Sequence, residues 1–225
     1  MDREVEILLY SLPMQFQMEN PPPEPLEALL ARIRACTICA GSLPLGPRPV
    51  VRASVTARLA ICAQAPGLKV HETGLPFNDP SGDRLRQWLG IGRDLFYDER
   101  RIAIVPMGFC YPGRDARSGD LPPRKECAQT WQAALKPHLD GCALKLVIGH
   151  YAMAHHLGRN GVPKPRENLT ETVRAWRDYL PGIIPLPHPS PRNLMWFRRN
   201  PWFEAEVVPG LRARVAALLR LNDAL

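Results

Sequence analysis

Short apolar runs alternate with helix-forming segments along most of this 225-residue chain. Each run is four or five residues long, as is typical of a buried strand. Strands that alternate with helices form a mostly parallel sheet covered on both faces, so the pattern predicts an α/β fold. The predicted strands are 59–62, 102–105, 144–148 and 183–186; the predicted helices are 26–34, 82–89 with Ser81 as N-cap, 124–139, 151–157 and 207–221.

A proline-rich stretch divides the chain near its start. Residues 20–25 read Asn-Pro-Pro-Pro-Glu-Pro, a composition typical of a stiff, polyproline-like linker. We therefore predict an N-terminal arm and linker over residues 1–25 and a single domain over residues 26–225. A domain of that length can bury a core without disulfide bonds.

The charge balance is basic. Lys and Arg total 29 against 22 for Asp and Glu, a net charge of +7, and 24 of the 29 are arginine. Arginine presents a planar fork of donors that suits phosphates and base edges, which favours a nucleic-acid partner. A GC-rich genome, which favours arginine codons, would produce the same excess, and both interpretations stay open.

Polar side chains follow the predicted strands at the points where the strands end. Gln64 follows the first strand, His150 the third, and His188 and Arg192 the fourth. Ligands of open parallel sheets bind beyond the carboxyl ends of the strands. These loops therefore predict a site at one edge of the sheet, without naming its reaction.

Three of the motifs in these regions resemble a known family. They are Gln64-Ala65-Pro66-Gly67, Thr73-Gly74-Leu75-Pro76-Phe77 and His188-Pro189-Ser190-Pro191, and together they resemble the uracil-DNA glycosylase superfamily over roughly residues 36–220. The resemblance implies a three-layer α/β/α sandwich with a four-stranded parallel sheet. It also implies a monofunctional DNA glycosylase that flips out and excises uracil, initiating base-excision repair.

The cysteines add to the resemblance. Cys36, Cys39, Cys110 and Cys127 are spaced as in the iron–sulfur branch of the superfamily, that of families 4 and 5, which implies that they hold a four-iron four-sulfur cluster. Free thiols, a zinc site or a lost cluster are the alternatives. The other cysteines, Cys62 and Cys142, are expected to be small core or surface residues.

The resemblance also implies roles for individual residues. His188 would donate a hydrogen bond to uracil O2 as negative charge develops there, and Phe77 would stack on the flipped base. A loop histidine that caps a neighbour and a core phenylalanine are the alternatives. Substrate binding is assigned to Ala65, Gly67 and Ser190, of which Ser190 would bind a flanking phosphate. DNA binding is assigned to Pro191, Arg192 and Asn193.

The first motif departs from the pattern of the superfamily. Other branches carry a carboxylate or an asparagine where this chain has Gln64 and Ala65. A glutamine amide can orient a water but cannot act as a base, so Asp79 is a further catalytic candidate. Glu72 and Asp83 are alternatives to Asp79, although a carboxylate at Asp83 also suits the first turn of a helix.

Base recognition is the second departure. The iron–sulfur branch has an asparagine four residues before its third cysteine, and this chain has Pro106 there. We expect Asn78 or backbone amides to contact the base instead, which leaves hypoxanthine and xanthine as further candidate bases. Residues 196–199, Trp-Phe-Arg-Arg, suit either DNA contact or a packed aromatic cluster.

The expected partner is uracil-containing DNA. The apolar runs are too short to cross a bilayer and the first residues lack the basic region of a signal peptide. We therefore expect no membrane association. We also expect a monomer that is located in the cytoplasm and associated with the nucleoid. The alternative functions are a catalytically impaired DNA-binding relative of the same fold, or an unrelated nucleotide-processing or metal-binding α/β protein.

Overall fold

The computed structural model describes residues 23–115 and 119–220. Most of the predicted arm, residues 1–22, lies outside the described residues, as does residue 221 of the last predicted helix. The predicted boundary between the arm and the domain stays a prediction. No helix within the described ranges is long and apolar enough to cross a membrane.

A four-stranded parallel sheet forms the centre of the molecule, which confirms the predicted fold class. Its strands are β1 (Leu59–Cys62), β2 (Ile102–Ile104), β5 (Leu144–Ile148) and β6 (Ile183–Leu186). Their order in the sheet is β2-β1-β5-β6. Leu59 of β1 pairs with Ile102 on one side and Leu144 on the other, so the first residues of three strands are in register.

Both edges of the sheet are closed to further pairing in different ways. Arg52 forms an antiparallel bridge with Ile104, so a loop covers the outer side of β2. Pro185 lies within β6, the opposite edge strand, where its missing N–H costs no ladder hydrogen bond.

Helices flank the sheet and complete its core. The helices are α1 (Leu26–Arg34), α2 (Leu68–Thr73), α3 (Pro80–Leu89), α4 (Arg93–Phe96), α5 (Lys125–Leu139), α6 (Gly149–His156), α7 (Leu169–Arg174), α8 (Leu194–Arg199) and α9 (Val208–Arg220). Helix α1 packs against α5, and α3 against α9.

The start of α3 corrects one prediction. The N-cap is Asp79, whose Oδ1 accepts a hydrogen bond from the Gly82 amide at 2.9 Å, and the helix begins at Pro80. Ser81 as the predicted N-cap is therefore wrong. The physical reason is that proline suits the first helical position, where no N–H donor is needed, so the helix starts before Ser81.

Aromatic side chains cluster beside α3 and α9. Trp88 meets the rings of Phe197 and Phe203 edge-on, at centroid distances of 5.5 and 4.9 Å. Trp196 joins them and donates its indole N–H to Thr170 at 2.9 Å. For Trp196 and Phe197, the structure therefore supports the packed aromatic cluster rather than DNA contact.

A small hairpin lies outside the main sheet, between Cys110 and Cys127. Its antiparallel strands are β3 (Arg114–Asp115) and β4 (Gly119–Asp120). Residues 110–127, which include this hairpin and run to the start of α5, are called the hairpin segment below.

Candidate active site

A cavity of about 320 Å³ opens at the carboxyl edge of the sheet, within the range of small-ligand pockets. The loops after β1 and β6, the residues before α3, and the hairpin meet there. The predicted site residues that line it are Ala65, Gly67, Phe77, Asp79, His188, Ser190, Pro191 and Arg192. We call it the strand-end cavity.

His188 is a partly buried side chain on the loop after β6. Burial lowers the pKa of its imidazole below the ordinary value, and Arg192 acts in the same direction, while the carboxylates of Asp79 and Asp120 oppose the shift. The ring is therefore neutral at pH 7, with one nitrogen as a donor and the other as an acceptor.

The backbone of the same loop is held by two of the predicted site residues. Asn193 donates its side-chain amide to the His188 carbonyl at 2.8 Å. Ser190 accepts a hydrogen bond from the Arg192 amide at 3.2 Å. Asn193, predicted to contact DNA, thus has a structural partner within the protein and does not line the cavity.

Phe77 has an unusual backbone. Its φ is +54°, a left-handed conformation that a bulky residue rarely adopts and that functional sites often contain. Two carbonyls are held around it: Arg86 donates to Phe77 O at 3.3 Å, and the Tyr97 hydroxyl donates to Pro76 O at 2.9 Å. A Cβ on Gly82 would lie 1.7 Å from Phe77 O, so only glycine lets α3 approach this closely.

The carboxylates predicted as alternatives to Asp79 are not in the strand-end cavity. Asp83 forms an ion pair with the buried Arg86 at 2.6 Å. Neither Asp83 nor Glu72 is among the lining residues, whereas Asp79 both caps α3 and lines the cavity.

Two further predicted residues also lie outside the cavity lining. The side-chain Oδ1 of Asn78 accepts a hydrogen bond from Arg93 at 2.8 Å. The Gln64 amide approaches Leu121 O at 3.5 Å. Pro106 does line the cavity, but its carbonyl accepts a hydrogen bond from Gln132.

Sequence reasoning missed Asp120, a second carboxylate that lines the cavity. Its Oδ2 lies 3.5 Å from the position that a Cβ on Gly67 would occupy. Next to it, Gly119 leaves room for the Arg192 guanidinium, because a Cβ there would lie 1.7 Å from Nη1. The only signal in the sequence is the Gly-Asp pair, a weak turn signal that does not indicate where the carboxylate goes.

A comparison with known families agrees with this arrangement. A model of the family described as the uracil DNA glycosylase superfamily matches residues 51–212, which is more than half of the chain.

The chain belongs to the uracil DNA glycosylase superfamily. Membership indicates a glycosylase-type enzyme that acts on DNA and serves DNA repair. The match includes every predicted catalytic and substrate-binding residue and excludes Cys36 and Cys39, which precede it.

The protein has a second cavity, which we call the four-thiol cavity. Cys36, Cys39, Cys110 and Cys127 all line it, among mostly apolar neighbours. Phe109 donates its backbone N–H to Cys127 Sγ at 3.3 Å. Burial raises the pKa of the Cys127 thiol to about 12 and also raises that of Cys110, so binding of a metal group would have to displace these protons.

The four thiols that line this cavity match the type and number of ligands that an iron–sulfur cluster takes. Within residues 23–115 and 119–220, no three His, Cys, Asp or Glu side chains are placed to hold one metal ion. A mononuclear zinc site needs its sulfurs about 2.3 Å from a single point, whereas each thiolate of a cluster binds its own iron. Four cysteines around one cavity supply the ligands that such a cluster takes.

The two remaining cysteines lie apart from that cavity, as predicted. Cys62 is buried in β1, and burial raises the pKa of its thiol to about 12. The buried Cys142 donates its S–H to Ala57 O at 3.3 Å.

Proposed function

We propose that this glycosylase excises uracil from DNA by hydrolysing the bond between the base and its deoxyribose, which leaves an abasic site for base-excision repair. The strand-end cavity carries the proposal, because it places Phe77, the neutral His188 and two carboxylates around a base-sized space. We further propose that the enzyme works as a monomer.

Base binding follows from the shape of the cavity. An enzyme that acts on a base must take it out of the helical stack, at a cost of a few kcal/mol. Phe77 offers an aromatic ring to the flipped base, and its strained backbone is held by Arg86 and the neighbouring Tyr97. A ring held before the substrate arrives loses little freedom on binding, which supports stacking as its role.

The leaving group determines what His188 must do. As the glycosidic bond breaks, electrons pass to the uracil ring and negative charge develops on O2. A neutral imidazole can donate its N–H to that oxygen, and a donor already in position requires no rearrangement during the reaction. Asn193 keeps the backbone of His188 in place by its 2.8 Å hydrogen bond.

The rim of the cavity supplies the proposed DNA contacts. Pro191 and Arg192 are exposed next to His188. The Arg192 guanidinium, packed over Gly119, provides positive charge where the duplex would approach. Ser190 lines the same rim and is the proposed partner of a flanking phosphate.

Base range is the less defined part of the proposal. Asn78 lies outside the cavity lining and its side-chain oxygen accepts a hydrogen bond from Arg93, so it is a weaker candidate for contact with the base. With no side-chain amide at Pro106, recognition falls more heavily on backbone groups. We propose uracil as the principal base, with hypoxanthine and xanthine as weaker substrates.

We further propose that the four-thiol cavity holds a four-iron four-sulfur cluster on Cys36, Cys39, Cys110 and Cys127. Bound there, the cluster would serve a structural purpose and cross-link the first two cysteines to both ends of the hairpin segment. The donor set and its shared cavity support this assignment.

The experiment that tests the proposed function uses oligonucleotides with one uracil, hypoxanthine or xanthine, single- and double-stranded, followed by alkaline cleavage. We expect strand breaks with uracil, and a rate about 100- to 1,000-fold lower in His188→Ala, the loss typical of an oxyanion donor. His150→Ala is the matched control, because His150 is exposed on the neighbouring α6 and is not among the lining residues.

The outcomes separate the candidate functions. Cleavage that His188→Ala leaves unchanged would contradict the proposed role of the histidine. Tight, salt-sensitive binding without cleavage would instead support a catalytically impaired DNA-binding relative. The presence of two carboxylates in the cavity argues against that alternative.

A further inference from the structure

Hydrolysis needs a group that holds the attacking water, and the first motif of this chain supplies no carboxylate for it. Gln64 and Ala65 occupy the relevant positions, and Gln64 lies outside the cavity lining. Two carboxylates line the strand-end cavity, Asp79 and Asp120. The contacts of these two side chains differ.

Asp79 already has a structural task. Its Oδ1 accepts the Gly82 amide at 2.9 Å and caps α3. An N-cap of this kind contributes on the order of 1 kcal/mol to helix stability. This hydrogen bond fixes the orientation of the carboxylate at the helix start that packs against Phe77, so Asp79 has a structural role besides any part in binding water.

Asp120 is in the opposite situation. Within the described residues, no hydrogen bond or ion pair to its carboxylate is formed, although it faces the cavity. Its Oδ2 lies beside Gly67, at the end of the loop where other branches of the superfamily carry their water-holding residue. It is also close enough to His188 to affect the pKa of the imidazole.

The hairpin that carries Asp120 is held against the site. Arg192, on the His188 loop, packs its guanidinium over Gly119, the residue before Asp120. This contact connects the loop that carries His188 to the strand that carries the carboxylate. It therefore helps to position Asp120 relative to the imidazole.

We propose that Asp120 is the catalytic carboxylate that binds and deprotonates the attacking water. The proposal rests on the proposed function. As the bond between C1′ and the uracil nitrogen breaks, its electron pair leaves with the base. The water oxygen then forms the new bond to C1′, the water proton passes to Asp120, and the uracil anion remains hydrogen-bonded to His188 until it takes up a proton from solvent.

The test compares isosteric variants in single-turnover excision of uracil from a duplex. We expect Asp120→Asn to lower the rate about 100-fold or more, the usual contribution of a general base. Asp79→Asn keeps a capping side chain and should lose less than about tenfold. Asp94→Asn is the matched control, because Asp94 is exposed on α4, outside the cavity lining, and should keep the wild-type rate.

Chemical rescue separates a catalytic role from a structural one. Added formate should restore much of the lost rate in Asp120→Ala, because the small anion can occupy the vacated position, and should not accelerate Asp79→Ala. Thermal unfolding and affinity for a non-cleavable 2′-fluoro-deoxyuridine duplex are measured in parallel. We expect both to stay near wild type in Asp120→Asn.

The results distinguish this proposal from the function on which it rests. A wild-type enzyme that excises uracil while Asp120→Asn stays within about threefold of it would overturn the role of Asp120 alone. A large loss in Asp79→Asn with formate rescue of Asp79→Ala would assign the water to Asp79 instead. Absence of excision by the wild-type protein would overturn the proposed function, and the role of Asp120 with it.

Discussion

The strand-end cavity and the four-thiol cavity share one stretch of chain but differ in chemistry. The hairpin segment contributes Cys110 and Cys127 to the four-thiol cavity and Asp120 to the strand-end cavity. The first is lined by thiols among apolar side chains, and the second by an imidazole, carboxylates and an arginine. Under the proposed function, the thiols would hold the hairpin segment and the strand-end cavity would carry out the reaction.

The largest expected effect comes from breaking the four-thiol cavity. Cys127→Ser should remove the brown colour, iron and sulfide from protein purified anaerobically. We expect the unfolding temperature to fall by more than about 10 °C, roughly 3 kcal/mol for a chain of this size. Uracil excision should also fall, because the hairpin segment would lose its attachment.

Cys142→Ser is the control for that experiment. Cys142 donates to a backbone carbonyl that a serine hydroxyl can also reach, and it is not among the residues that line the four-thiol cavity. Its iron content and unfolding temperature should stay close to wild type. Wild-type protein that is colourless and free of iron would contradict the proposed cluster. The contrast between the two cavities would then be one between packed thiols and polar site residues.

A smaller effect is expected at the backbone of the strand-end cavity. Gly82→Ala places a methyl group 1.7 Å from Phe77 O, so either α3 or the Phe77 backbone must move. Overpacking of this kind costs about 1–3 kcal/mol. The excision rate should fall as well, by about tenfold or more, since misplacement of a stacking group by an ångström is costly.

Gly182→Ala is the matched control, because a Cβ there meets no atom within 4 Å. Its unfolding free energy and excision rate should stay near wild type. If Gly82→Ala were destabilised but fully active, the strained backbone of Phe77 would be a packing feature with no part in base binding.

The sheet could be predicted from the sequence because its strands are short, continuous apolar runs. Strands 59–62, 144–148 and 183–186 match the structure at both ends, and 102–105 is one residue longer than β2. Burial on both faces of a parallel sheet leaves little room for polar residues. The apolar runs therefore indicate the strands, and the polar residues that follow them indicate the loops at the strand ends.

The site could be predicted only where a motif carried it. His188 and Phe77 line the strand-end cavity as expected, whereas Asp120 comes from a hairpin with strands of two residues, too short for any periodicity. Asn78 and Gln64 are oriented by tertiary partners, Arg93 and Leu121, that local sequence does not reveal. The predicted N-cap of α3 was wrong because Ser81 and Asp79 are both residue types that cap helices well.

The smallest expected effect concerns pH and belongs to the strand-end cavity. Burial lowers the pKa of His188 in the folded protein, while an unfolded chain has the ordinary value near 6.5. As pH falls below about 6.5, the unfolded state takes up a proton that the folded state does not, so the unfolding free energy decreases. The contribution is at most about 1.4 kcal/mol per pH unit, and vanishes above pH 7.

Denaturant unfolding of wild type and His188→Gln between pH 7.5 and 5.5 measures this contribution. His156, whose pKa burial lowers to about 3, causes the same acid loss in both proteins, so the difference between them isolates His188. As pH falls, the unfolding free energy of wild type should decrease more steeply than that of His188→Gln. Parallel curves for wild type and His188→Gln would mean that burial does not lower the pKa of His188. The argument that the imidazole meets the base as a neutral donor would then be lost.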